Sequence, residues 1–330
     1  MSLFKPDKSR SFTKTIRSKK RVVAEAFFGF IGFTSWLFYW ENNVIETTRF
    51  ERFDKRVPSS LDGLTIVQIS DLHGKRFGRN HERLLAKVRA ERPDIIVITG
   101  DLLDERSPFP EFAREVVSSL RAEAPVFYVT GNHEGQFVEA IRPVALAAIE
   151  SGGAYMLDNR AVELSRDATG ELTVRALTST VDRQERVETI LLAGVPDPET
   201  ELPSGIRDPR ERYERSRQFL SARLSKIPNT PEQFYILLSH RPEQIATYAS
   251  HGVDLVFTGH AHGGQFRVPF LLPNGLFAPH QGFFPKYACG RRELNGTTEL
   301  TSRGLGPSVI PTRIFNRPNL VVCKLRRETQ

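Results

Sequence analysis

Five short β-branched runs in this chain end in the same way, and that repetition restricts the fold more than any other feature. Leu64–Ile69 leads into Ser70-Asp71-Leu72-His73, and Ile95–Thr99 leads into Gly100-Asp101-Leu102-Leu103-Asp104. Val126–Thr130 leads into Gly131-Asn132-His133-Glu134, and Phe234–Leu238 into Ser239-His240. Asp254–Thr258 leads into Gly259-His260-Ala261-His262-Gly263-Gly264. Such runs read as strands, as do Thr189–Ala193 and Leu320–Leu325. Amphipathic stretches at Asn80–Ala90, Glu111–Leu120, Phe137–Ile149, Arg210–Leu224 and Pro242–Tyr248 read as helices. The alternation predicts an α/β domain with parallel pairing in at least one sheet.

Each run is followed by Ser or Gly and then by a residue type that ligates metals. In open α/β sheets, ligands bind beyond the carboxyl ends of strands, and a small residue at each turn lets several ends approach. On extended backbone, Asp-x-His and His-x-His spacing puts both side chains on one side. The prediction is one cleft holding Asp71, His73, Asp101, Asn132, His240, His260 and His262. Carboxylate, imidazole and amide donors without a thiolate suit Mn, Fe or Zn. Seven donors exceed what one ion with an open position needs, so two divalent ions are expected, Mn²⁺ ahead of Zn²⁺ or Fe. Singly, each residue has an ordinary alternative, Asp104 as a helix cap and Asn132 as a left-handed turn residue. Five of the eight histidines nevertheless fall inside these motifs, which favours a shared site. His81, His251 and His280 are expected to be structural or at the surface.

The net charge of +7 suggests a nucleic-acid partner until it is located. Residues 1–21 carry eight Lys or Arg against Asp7; removing them from totals of 46 bases and 39 acids leaves 38 of each. A balanced domain has no global field for DNA or RNA, so no nucleic-acid partner is expected. Cys289 and Cys323 form no CxxC pair and read as buried free thiols.

After the basic tail, Val22–Trp40 would make a helix about 28 Å long, close to a bilayer core. Glu25 interrupts the run near its start, and Trp36, Tyr39 and Trp40 gather at the far end like an interfacial belt. No small-x-small cleavage site follows. The predicted organisation is a basic tail (1–21), a membrane anchor helix (22–40), a juxtamembrane linker with room for one strand (41–62) and a catalytic domain (63–330). A spanning helix puts that domain outside the cell by positive-inside logic, whereas an interfacial helix leaves it on the cytoplasmic side.

The motifs Asp71-x-His73, Gly100-Asp101-x-x-Asp104, Gly131-Asn132-His133-Glu134, Ser239-His240 and Gly259-His260-x-His262 resemble those of the calcineurin-like metallophosphoesterases, in that family's order, from about Gly63 to Leu325. Ser239 departs from the more usual Gly. The resemblance implies an α/β, four-layer α-β-β-α sandwich, here with an N-terminal membrane helix. It implies one metal on Asp71, His73 and His262, a second on Asn132, His240 and His260, Asp101 between them, and His133 as a catalytic acid rather than a ligand. His262-Gly-Gly-Gln265, Ser302-Arg-Gly-Leu-Gly306 and Arg313-Ile-Phe-Asn-Arg-Pro318 resemble the membrane-associated bacterial branch. That branch includes broad phosphodiesterases and UDP-diacylglucosamine pyrophosphatases of lipid A synthesis.

The expected function is two-metal hydrolysis of a phosphodiester or pyrophosphate in a membrane lipid or other amphiphilic substrate. A broad-specificity phosphodiesterase is the alternative. A non-catalytic scaffold is the competing class, and the full donor set with His133 argues against it. Arg76, Arg303 and Arg313 are candidates for phosphate binding or for surface ion pairs. Phe266–Phe284, rich in Phe and broken by Pro269, Pro273 and Pro279, is expected to form an apolar rim or a loop packed into the core.

Overall fold

The computed structural model describes residues 8–106, 108–177, 188–202, 206, 208–268, 270–308 and 310–328, with side chains from Arg21 onward except Val23. Lys5, the side chains of Lys8–Lys20 and Pro269 therefore lie outside the described residues. One helix, α1 (Lys8–Asn43), runs through both the basic tail and the expected anchor. Its apolar residues stand clear of the body: Phe27, Phe28, Phe30, Phe33 and Trp36 are each more than half exposed. Its last turn docks, burying Glu41 and Asn42. Among the described residues, no helix is long and apolar enough to cross a membrane.

The segment expected to be a linker does contain one strand, β1 (Glu46–Asp54), which pairs parallel with the last strand, β15 (Asn319–Arg327). The first sheet runs β1–β15–β2–β3–β4–β5, with β2 (Thr65–Ile69), β3 (Ile95–Thr99), β4 (Val126–Val129) and β5 (Ala154–Met156). The second runs β13–β14–β10–β9–β8–β6–β7. Its members are β6 (Arg160–Arg166), β7 (Leu172–Ala176), β8 (Ile190–Gly194), β9 (Phe234–Leu238), β10 (Leu255–Thr258), β13 (Gly290–Leu294) and β14 (Thr297–Thr301). A two-strand ribbon, β11 (Phe277–Ala278) with β12 (Gly282–Phe283), is all the regular structure among the described residues of the proline-broken segment.

The continuous apolar runs are explained by burial on both faces, as parallel sheets require. Along β3, Ile96 and Ile98 point to a core shared with Leu84 and Val88 of α2 (Glu82–Ala90), Val116 and Leu120 of α3 (Pro110–Arg121) and, beyond the single turn α4 (Asn132–Gly135), Ile149 of α5 (Arg142–Ser151). The alternate residues Ile95 and Val97 enter a second core, where they meet Ile190, Leu192, Ile236 and Phe257 from the other sheet. On the far side of that sheet, Leu191, Tyr235 and Leu237 pack with Leu220 and Leu224 of α6 (Pro209–Leu224) and with Tyr248 of α7 (Ile245–Ser250). Three cores separate four layers, α-β-β-α. Each fully buried Ile or Leu contributes about 1.5–3 kcal/mol of transfer free energy, so the stacked sheets dominate stability.

Candidate metal centre

The strand ends do converge, but not by extended alternation. Asp71, His73, Asp101, His260 and His262 all have positive φ, between 48° and 67°. Non-glycine residues seldom occupy this left-handed region, and held there they mark functional sites. Each chain therefore kinks just past its strand and throws the ligand side chain back over the sheet edge; this corrects the expectation from two-residue spacing on extended backbone. The small residues do what was expected of them. A Cβ on Gly259 would lie 2.0 Å from Ser70 Oγ and 2.5 Å from Asp71 Oδ2, and one on Gly131 would lie 2.2 Å from Asp101 Oδ1.

The seven side chains read from sequence come together in two groups. In the first, His262 Nε2 is 3.1 Å from His73 Nε2 and 3.4 Å from Asp71 Oδ1. In the second, Asn132 Oδ1 is 3.1 Å from His240 Nε2 and 2.7 Å from His260 Nδ1, and Asp101 Oδ2 is 3.3 Å from His240 Nε2. Asp101 Oδ2 is also 3.7 Å from His73 Nε2, which places it between the groups. All seven are buried.

Outer partners aim the ligand atoms inward. His240 Nδ1 donates to Thr99 O at 2.6 Å, which turns Nε2 toward the cleft. His73 Nδ1 lies 3.5 Å from Asp104 Oδ2 without a hydrogen bond, and Asp104 is not the helix cap considered above, because α3 starts at Pro110 behind Phe109. His133 Nδ1 accepts from Glu105 N at 3.2 Å, so in the neutral ring the proton sits on Nε2, which points to Asp101 Oδ2 at 3.9 Å. The His133 ring is partly exposed at the cleft mouth, unlike the seven donors.

The donor set fits cations. Asp71 Oδ2 is buried with no hydrogen-bond partner, and such an oxygen is costly to leave bare. Burial pushes the Asp71 carboxyl up to about 6 and the His73 ring down to about 4. Burial holds His260 and His262 well below the ordinary range, with neighbouring Arg241 and His73 adding to it, so both rings are neutral. Burial also opposes charge on His240, but Asp101 outweighs it and lifts the ring to about 10. A cation beside these groups inverts that balance.

Two features were not read from the sequence. Glu134, fully buried, accepts backbone N–H bonds from Asp101 at 2.9 Å, Leu103 at 3.0 Å and Gly131 at 3.0 Å, tying two ligand loops together. Its position directly after Asn132-His133 was the only signal. His280, expected to be structural or at the surface, stacks on His260 with ring planes 5° apart and its Nδ1 2.8 Å from His260 Nε2. His280 Nε2 meets Glu199 at 3.1 Å. Arg241, clasped by Asp197 at 2.5 and 2.8 Å, reaches His280 Nδ1 at 2.6 Å. Loop residues distant in sequence supply this wall, and nothing local in the sequence marks them. Beside it opens a polar cavity of about 610 Å³, lined by Gln136, Arg142, Glu199, Arg212 and His280.

The three arginine candidates are otherwise engaged. Arg76 forms a two-point pair with Glu115 at 2.8 and 2.9 Å on the surface. Arg303 pairs with Glu46 at 3.1 Å, and Arg313 is buried among the carbonyls of Arg303, Gly306 and Asn316. His81 packs on Phe112 and His251 bonds Ser221 at 2.8 Å, both structural as expected.

Buried oxygen and nitrogen donors converging between two stacked sheets define a dinuclear metallohydrolase. A family model described as calcineurin-like phosphoesterase matches residues 64–264. The chain belongs to the calcineurin-like phosphoesterase family and is a metal-dependent phosphoesterase with a dinuclear site for divalent ions. It is 27% identical to the uncharacterized metallophosphoesterase YkuE of Bacillus subtilis, over 87% of this chain and 88% of that protein. It is 30% identical to a Bos taurus transmembrane protein with metallophosphoesterase domain, over 68% of this chain but only 46% of the relative. A solved dimetal phosphatase from Danio rerio aligns at 18% identity and a TM-score of 0.39, over 74% of this chain and 88% of that one.

Proposed function

We propose that this chain hydrolyses a phosphodiester or pyrophosphate bond, with one divalent ion held by Asp71, His73 and His262, the other by Asn132, His240 and His260, and Asp101 shared. The carrying observation is the position of Asp101 Oδ2 within 3.7 Å of both donor groups. Bound ions would activate water and offset charge on the phosphoryl oxygens. Oxygen and imidazole donors suit Mn²⁺, with Zn²⁺ or Fe as alternatives. His133 presents its Nε2 proton at the mouth of the cleft, where it serves as the acid for the leaving oxygen.

The substrate we infer is amphiphilic. The exposed apolar face of α1 supports membrane attachment, and Phe270, Leu271, Phe283 and Phe284, all more than half exposed, support an apolar rim after His262. A large exposed apolar patch marks a membrane or protein interaction site, and the basic residues that precede this one favour the membrane. The resemblance to the membrane-associated bacterial branch makes UDP-diacylglucosamine the specific candidate. The polar cavity beside His280 favours a second reading, a broad phosphodiesterase for small or cell-envelope substrates. A hydrolysis screen of full-length protein with Mn²⁺, comparing a nucleotide-linked diacyl pyrophosphate with its deacylated form and an aryl phosphodiester, separates them. Preference for the acylated form supports the amphiphile; equal kcat/KM on both forms refutes it, and no turnover of any substrate refutes the hydrolase assignment.

A further inference from the structure

The foot of α1 is fastened to the polypeptide that carries the metal ligands. Asn42 Oδ1 accepts from the backbone N–H of Arg313 at 2.8 Å, and Asn42 Nδ2 donates to Arg313 O at 3.2 Å. Glu41 Oε2 accepts from the backbone N–H of Asn316 at 3.1 Å. These bonds fix both ends of residues 313–316 to one helical turn. From that segment, Asn316 Nδ2 donates to His262 O at 2.7 Å and to Gln265 O at 3.1 Å. The Arg313 guanidinium donates to Gly306 O at 2.6 Å and approaches His262 Nδ1 at 3.4 Å. Gly306 N in turn donates to Asp71 O at 2.6 Å. On its other side, Asn42 O accepts from Lys75 Nζ, two residues beyond His73.

We propose that the last turn of α1 is a positioning element for the Asp71–His73–His262 half of the metal centre, with Asn42 and Glu41 as its positioning residues. No atom of the turn reaches a donor group, so its influence passes through residues 313–316 and through Lys75. The backbone around His262 is left-handed and the ring needs an imposed orientation; a clamp two hydrogen bonds away supplies it, as outer partners do for ligating histidines. The helix that stands clear of the body is thereby coupled to one metal subsite and not to the other. This proposal rests on the ligand assignment above.

The test uses full-length protein in detergent, with Mn²⁺ affinity and stoichiometry measured by equilibrium dialysis and the spin coupling of paired ions followed by EPR. Glu41→Ala/Asn42→Ala should weaken one of two ions by roughly 10- to 100-fold, the scale for loss of an outer partner, and abolish the coupling signal while the second ion stays bound. Asn42→Asp keeps the acceptor for Arg313 N and should recover part of the affinity. Phe28→Ala, in the exposed stretch, should bind both ions as the parent does. Two ions held with parental affinity in the double variant would overturn the proposal. So would equal loss of both ions together with a lowered unfolding midpoint in chelator, since that marks a general structural role. Fewer than two ions on the parent chain would instead refute the two-metal reading on which the proposal stands.

Discussion

Glu134 offers the sharpest test of how the centre is built, because its effect is calculable from three hydrogen bonds. Its carboxylate is fully buried and accepts from Asp101 N, Leu103 N and Gly131 N at 2.9 to 3.0 Å. Glu134→Ala strands all three donors, and each buried orphan costs about 1–3 kcal/mol. Water entering the vacated space recovers part of this, which puts the expected loss at about 3–6 kcal/mol. Glu134→Gln keeps the shape. With its carbonyl at the Oε2 position it still accepts from Asp101 and Gly131, while its amide faces Leu103 N, so about 1–3 kcal/mol is lost. Urea unfolding in the presence of chelator measures both changes without contribution from metal binding. Metal stoichiometry should fall in the Ala variant, since Asp101 loses its backbone tether, and hold better in Gln. An Ala variant destabilised by less than 1 kcal/mol, or a Gln variant as damaged as Ala, would refute the reasoning.

Three further outcomes follow from the same structure. His133→Gln should lower turnover by about 100-fold or more, the scale of general acid catalysis, with two ions still bound; loss of metal would show His133 to be a ligand. Glu299 is buried with both oxygens unpartnered, and burial holds its carboxyl well above the usual range, with Glu243 adding to this and Arg292 opposing it. The folded chain thus keeps a proton that the unfolded chain releases. Stability falls as pH rises past the unfolded value, by up to about 1.4 kcal/mol per pH unit. Glu299→Gln removes that slope, so its stability advantage in chemical denaturation should grow from pH 5 to pH 8; parallel pH profiles would disprove it. Burial pushes the Cys323 thiol up to about 12, whereas Cys289, expected from the sequence to be buried, is partly exposed. A thiol-reactive dye should therefore label one cysteine in native protein and two after denaturation.

The parts legible in the sequence were those encoded locally. The strands from Thr65 to Thr258 that carry ligands are continuous apolar runs, and their ends are marked by Gly or Ser before Asp, Asn or His. Their convergence followed from α/β topology. The edge strands were harder: β7 reads Leu-Thr-Val-Arg-Ala, with three of its five residues exposed and none fully buried, and β13 reads Gly-Arg-Arg-Glu-Leu, with no apolar face to betray it. Their pairing is decided by neighbours β6 and β14 instead. The wall of Arg241, Glu199 and His280 was invisible for a related reason, since it is assembled from three loops far apart in the chain. The left-handed backbone at five ligand positions was equally hidden. Side-chain type sets what a residue can bind, whereas φ at Asp71 or His260 is imposed by the surrounding packing.

The position of β15 has a consequence for how the chain comes into being. Asn319–Arg327 lies between β1 and β2, pairing with the first on one side and the second on the other. During synthesis, at roughly 5–20 residues per second, β1 and β2 emerge long before β15 and wait with open hydrogen-bonding edges until Asn319–Arg327 has been made. Edges of that kind recruit other chains. Nascent protein is thus exposed to misassembly throughout the interval between β2 and β15, and a stop codon before residue 319 leaves a sheet split in two rather than a shortened enzyme.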